Sequence, residues 1–339
     1  MSWHSRCTLR FGTLLGLTLS IVAVTAPARA QSELTPQGAR DASFRAALAL
    51  RYAPIHQQDV HRRGSHGLGG AADYITSVDF DADDDASNNW DNAGDARFPL
   101  AAHAYYSVTE TASHWFITYQ FFHPRDWSST FFDTEHENDS EGVLFAVARD
   151  GSRFGALRAA VTVVHADFYS YVPASSRWRS GREDVDGKLT LQAFAGELHP
   201  VTAAQAETHA IKAWPYYSIR TEGIVYYPSL TTAEVPSGPN DRNVQYQLHD
   251  MLAPGGLWAR RANPRLFVRY GTFAGNGSGG CGNGVFWCRH DAAHAAWAWN
   301  DHDDRSPTGA MATDPAGLVR AYFTTHEPVS NAYDFNPFR

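Results

Sequence analysis

HWFITYQFF (residues 114–122), GVLFAVARD (142–150) and LRAAVTVVHADFYSYV (157–172) decide how this chain folds. Each run is dense in β-branched and aromatic residues, the composition that suits a pleated, packed strand. Asp150-Gly151, at the end of the second run, is a hairpin-type turn signal. KLTLQAF (188–194), EGIVYYP (222–228) and RLFVRYGTF (265–273) repeat the pattern.

Helical signals are few and peripheral. LTPQGARDASFRAALALRYAP (34–54) spaces its apolar residues in a helical manner and ends before Pro54. QYQLHDML (245–252) reads as one short helix. TDPAGLVRAYFTT (313–325) opens with Asp314 as the expected N-cap and Pro315 at the first helical position. Residues 55–72 are polar and glycine-rich and read as loop. No regular helix lies between the strands, which argues against βαβ units. The expected fold is therefore mainly β, an antiparallel β-sandwich with peripheral helices.

The first thirty residues follow the layout of a secretory signal peptide. Arg6 and Arg10 precede the apolar stretch FGTLLGLTLSIVAV, and Ala28-Arg29-Ala30 offers a small-x-small cleavage site. An uncleaved N-terminal anchor is the alternative. The expectation is a leader over 1–30 and a single β-sandwich domain over 31–339, secreted or periplasmic after cleavage near Ala30. No later run is long and apolar enough for a transmembrane helix. Losing the leader removes three arginines and no acid, so 28 basic residues become 25 against 36 acidic ones, a net charge of −11. Lys188 and Lys212 are the two lysines. That balance argues against nucleic acid, whose phosphates are met by clustered Lys and Arg. Outside the leader, Cys281 and Cys288 sit in GGCGNGVFWCRH, an expected local disulfide in an exported protein. A zinc pair with the nearby histidines is the other reading.

Chemistry concentrates in EHENDSEG (135–142). Extended, it points Glu135, Glu137, Asp139 and Glu141 to one side and His136, Asn138 and Ser140 to the other. Bent, it brings His136, Asp139 and Glu141 together. One imidazole with two carboxylates is a mostly hard ligand set, suited to Ca²⁺, Mg²⁺ or Mn²⁺ over structural zinc. A solvated acidic turn before a strand is the other reading. Upstream, FFHPRDW (121–127) supplies His123, Arg125 and Asp126, with Arg125 placed to hold a carboxylate in a bidentate pair. VDFDADDDASNNWDNAGD (78–95) opens like an EF-hand loop through Asp81, Asp83 and Asp85, then departs from it at Ala86 and Asn92. A calcium loop of another kind and an acidic surface loop both remain open. Glu207 and His209 share a face if extended, as does any i, i+2 pair. WAWNDHDDRSP (297–307) is a further polar, acidic loop. No GxSxG elbow, P-loop, HExxH or GxGxxG joining a strand to a helix occurs.

WFITYQFFHP followed by EHENDSEGV resembles the vacuolar protein sorting-associated protein 62 family, which places a QYWFFYP-like run before an H-E-G-D-W-E segment. In that likeness His136, Glu137, Asp139 and Glu141 match, while Asn138 and Ser140 replace glycine and tryptophan. HPVTAAQAETHAIKAWPYY is similar to the family's later HPVVYVxxGxHAxYP segment, which makes His209 the matching histidine. LWARR (257–261), WAWNDHDD and YDFNPF extend the resemblance over roughly residues 50–338. More distantly, the segment is similar to the G-H-R-H-D-W-E heptapeptide of necrosis-inducing, NEP1-like cytolysins, which lines a divalent-cation pocket on a β-sandwich. There the carry-over is His136, Asp139 and Glu141.

Together the residues and the resemblance imply an exported protein with a divalent-cation site at His136, Asp139 and Glu141 that binds a glycan or lipid headgroup. Trp90, Trp127 and Trp299 are expected at the rim. Three alternatives stand beside it. One is a metal-dependent hydrolase with Glu137 or Glu141 as general base. Another is a NEP1-like membrane-damaging toxin. The last is an envelope protein whose acidic loops only keep it soluble.

Overall fold

The structure, a computed structural model, describes residues 38–130, 135–275 and 292–339, and the backbone of 288–289. The expected leader (1–30) and Cys281 lie outside the described residues, as does the side chain of Cys288, and with them the expected disulfide. The residues from Pro36 to Arg339 form one unit.

The first helix, α1 (Ala42–Tyr52), begins where the Asp41 side chain accepts from the Ser43 and Phe44 amides at 2.7 and 3.2 Å. It ends before Pro54 and buries Phe44, Leu48, Ala49 and Tyr52, one helical stripe. The principal strands follow as β1 (Ile55–Val60), β2 (His103–Thr111), β3 (His114–Asp126), β4 (Glu135–Ala148), β5 (Ala156–Val164), β6 (Asp167–Pro173) and β7 (Val185–Leu189). Next come β8 (Glu197–Ala204), β9 (Ile211–Ala213), β10 (Glu222–Ser229) and β11 (Val244–Asp250). Phe267–Arg269 (β12) and Thr272–Phe273 (β13) form a separate hairpin. Two short helices, α2 (Ala310–Thr313) and α3 (Pro315–Tyr322), close the chain's last third, with Pro315 at the start of the second as expected.

Among the described residues one mixed 14-stranded sheet carries eleven strands in the order β9-β8-β1-β10-β11-β2-β3-β4-β5-β6-β7, with three short strands paired off this path. Strand makes up 38% of the described residues against 13% helix, so the class is mainly β. The antiparallel sandwich is corrected, because β1–β8, β10–β11, β11–β2 and β6–β7 pair in parallel. The sheet is nearly closed and barrel-like, and β9 at one end packs on β5. Parallel pairs need long connections, and here loops and other strands supply them rather than helices.

Two of the parallel pairs involve a segment read as helix from sequence. Residues 245–252 form most of β11, where Tyr246 and Leu248 are buried and Gln245 and Gln247 are not, a period of two. Likewise β1 lies within the expected loop 55–72, and 265–273 is a short hairpin rather than one strand.

Apolar packing runs on both faces of β3 and β4. Trp115, Ile117, Tyr119 and Phe121 join Val143, Phe145 and Val147 in a core with α1, Ile211, Ile224, Tyr226 and Tyr246. Phe116, Phe122, Leu144 and Ala146 join a second core with Leu257, Leu266, Phe273, Trp297, Met311 and Val319. Double-sided burial explains the near-continuous apolar runs. The chain's last third is fastened to this face by Thr118 Oγ1 donating to Met311 O at 2.9 Å and the Ala296 amide donating to Gln120 Oε1 at 2.9 Å.

Candidate metal centre

The end of β3 pairs with the start of β4, and the register sets Asp126 opposite His136, His123 opposite Asp139, and Phe121 opposite Glu141. Regular alternation would send His136 and Asp139 to opposite faces. Between them Asn138 adopts φ 61, in the left-handed region. That residue inverts the alternation, so His136 and Asp139 meet on one side. Asn is among the few residue types that take this conformation readily. Its buried side chain is held by three hydrogen bonds: Nδ2 donates to Ala86 O and Ala274 O, both at 2.9 Å, and Oδ1 accepts from Asn89 Nδ2 at 2.7 Å.

Asp126, His136 and Asp139 each offer a ligand atom, and these atoms lie within 4.8 Å of one another. With Glu141 they line a cavity of about 740 Å³, together with His165, Arg269, Tyr270, His294, Trp299 and other residues. Nδ1 of His136 lies 2.7 Å from Asn138 O, a carbonyl that only accepts, so Nδ1 carries the hydrogen and Nε2 faces Asp126 at 3.3 Å. An imidazole tied by its far nitrogen to a backbone carbonyl is oriented as metal-ligating histidines are. Asp126 Oδ1 and Glu141 Oε2 are buried with no hydrogen-bond partner among the described residues.

The electrostatics match an acidic hole. Burial opposes the charge of His136, yet the Asp126 and Asp139 carboxylates more than offset it and push the imidazole up to about 9. Burial pushes the Glu141 carboxyl well above its usual range, and the neighbouring Asp139 adds to it. Asp126 is likewise raised by burial, against the pull of His136. The Glu141 side chain also accepts from the His165 amide at 2.9 Å.

The other expected residues scatter. Glu137 accepts from the Trp90 amide at 2.9 Å and does not line the cavity. Arg125 donates to the carbonyls of Trp90 and His66 and lies over the Trp90 ring at 4.5 Å, in place of the expected carboxylate pair. Trp90 and Trp127 form a small buried cluster of their own, away from the rim, whereas Trp299 lines the cavity with Nε1 donating to Ser140 O at 2.9 Å. Glu207 and His209 are not extended neighbours: both have left-handed backbones, with φ 74 and 52. Glu207 turns out to pair with His61, while His209 turns in to Asp139. His123 stacks on His209 with ring centroids 3.7 Å apart, and burial pushes it well below its usual range.

Asp81, Asp83 and Asp85 stand apart from this cavity. Ligand atoms of Asp79, Asp81 and Asp83 do come within 4.8 Å of one another. Asn92 and Asn88 donate to Asp81 and Asp83 at 2.6 Å, Arg260 pairs with Asp84, and Arg265 holds Asp85 at 3.1 Å. A third acidic group, Asp167, Asp301 and Asp303, joins the β5–β6 turn to the 297–307 loop. Arg269, Tyr270 and His165 were not anticipated at the cavity. The polar His165 inside an apolar run was the available signal, since it marks the turn that splits that run into β5 and β6.

No protein-family model and no curated protein matches the chain. Among solved structures, one described as "Toxin fold for microbial attack and plant defense" is 15% identical, with a TM-score of 0.28 over 62% of this chain and 75% of that one. "NLPPya in complex with glucosamine" is 14% identical, with a TM-score of 0.27 over 62% and 77%. "Crystal structure of non-toxic HaNLP3 protein" is 12% identical, with a TM-score of 0.26 over 62% and 76%. These neighbours are necrosis and ethylene-inducing toxin-fold proteins. Nothing among them supports the vacuolar protein sorting likeness.

Proposed function

We propose that the protein is an exported, cation-dependent binding module whose ion is held by Asp126, His136, Asp139 and Glu141 and whose ligand is a glycan or a lipid headgroup. The observation that carries this is the convergence of these four side chains on one cavity, with buried carboxylate oxygens left unpartnered. A divalent cation fits them: it would neutralise crowded carboxylates and use the Nε2 lone pair of His136. The oxygen-rich donor set favours Ca²⁺ or Mg²⁺ over Zn²⁺. Bound there, the cation supplies a Lewis-acidic point for a ligand's hydroxyl or phosphate oxygens. Tyr270, 56% exposed, offers an aromatic face at the same cavity, and Arg269 and Asn300 offer donors.

Thermal unfolding in EDTA, then with Ca²⁺, Mg²⁺, Mn²⁺ or Zn²⁺, tests the ion. Saturation at 100 times the dissociation constant stabilises by about 2.7 kcal/mol. The expected result is a raised midpoint that Asp139→Ala abolishes and Asp83→Ala leaves in place. An unmoved midpoint with every ion overturns the proposal.

A metal-dependent hydrolase is the second reading, favoured by Glu141, a cavity carboxyl that burial raises well above its usual range. Turnover of a phosphodiester, ester or glycoside substrate, lost in a folded Asp139→Ala variant, would move the function there. Dye leakage from lipid vesicles on adding the protein and cation would point instead to membrane damage.

A further inference from the structure

We propose that His209 is a positioning residue for the cation site: its imidazole, braced from behind by Asp73, fixes the Asp139 carboxylate in the orientation the ion requires. This rests on the cation reading above. Asp139 follows the left-handed Asn138, and its Oδ1 is taken by the Ser140 amide at 2.7 Å. Oδ2 lies 2.9 Å from His209 Nδ1. On the far side of the ring, Nε2 lies 3.2 Å from Asp73 Oδ1. The side chains of His209 and Asp73 are both 0% exposed.

Neither brace can easily swing. Asp73 also accepts from the His61 amide at 2.8 Å, Trp127 Nε1 at 2.8 Å and the Glu207 amide at 2.9 Å. The His209 ring is stacked nearly parallel, at 3°, on His123. The chain enters this position through two left-handed, non-glycine residues, Glu207 and His209. Strained backbone of this kind persists where surrounding structure over-determines it, often beside a functional site. A hydrogen-bonded partner behind a ligating carboxylate orients it, and losing such a partner typically costs 10–100-fold in metal affinity.

The test is Ca²⁺ and Mn²⁺ affinity by calorimetry for the intact protein and for His209→Asn, His209→Gln and His209→Ala. Asn places its amide nitrogen where Nδ1 stands, toward Asp139. Gln better matches the ring in volume but places its nitrogen toward Asp73. The expected result is near-normal affinity in His209→Asn and a loss of about 10–100-fold in the Gln and Ala variants. A role in packing alone reverses the order, with Gln the better replacement, and overturns the inference. Equal affinity in all four proteins also overturns it, while leaving the cation site standing. No binding by the unaltered protein overturns both. Should the variants not fold, the ring Nδ1–H proton resonance of His209 in the unaltered protein decides. It shifts on saturation with Ca²⁺ if Asp139 is the link, and a resonance that stays put counts against it.

Discussion

Asn138 shows how much one residue can decide. Its backbone at φ 61 brings His136 and Asp139 to the same side of a strand, and its amide satisfies three buried partners. Asn138→Ala keeps neither the conformation nor the bonds. It should destabilise by about 3 kcal/mol, one buried network lost plus left-handed strain. Asn138→Gly keeps the backbone and should cost less, a ranking that urea unfolding reads directly. His56 acts differently. Fully buried against Phe121, with ring centroids 4.1 Å apart, it is pushed by burial down to about 3. Between pH 6.5 and that value the unfolded chain binds a proton that the folded one does not, so His56 costs stability as pH falls and costs none above 6.5. His56→Gln should therefore flatten the acid side of the stability curve by up to about 1.4 kcal/mol per pH unit relative to the unaltered protein. Parallel slopes for the two proteins would refute this.

At the scale of elements, the β3–β4 pair is both the centre of the fold and the floor of the site. Gly142 sits where they meet the last third of the chain. A Cβ there would lie 2.1 Å from Tyr119 O and 2.3 Å from the Trp299 ring. Gly142→Ala should cost about 1–3 kcal/mol, the usual range for overpacking. It should also shift Trp299 fluorescence, because that ring must retreat toward the cavity. An unchanged melting midpoint and spectrum would contradict the register given above. Strand composition made β3 and the second half of β4 legible, because double-sided burial selects β-branched and aromatic residues there. It misled at β11. There Gln245 and Gln247 alternate with Tyr246 and Leu248, a short pattern that period two and a single helical turn fit equally well.

For the whole molecule, the path of the sheet mattered more than its composition. The mainly β class follows from the runs of Val, Ile, Phe, Tyr and Trp. The mixed, nearly closed sheet does not, since β1 reaches β8 and β11 reaches β2 across long stretches of chain. The candidate site divides in the same way. The sequence by itself determined the local composition: one imidazole and two carboxylates, His136, Asp139 and Glu141, close together next to a strand. Only the tertiary structure decided that Asp126 joins them and Glu137 turns away. The same holds for His209, which comes from 70 residues along the chain to brace Asp139. The reason is physical: spacing records which neighbours share a strand face, whereas strand pairing, one left-handed residue and loop closure bring together groups whose separation along the chain carries no such record.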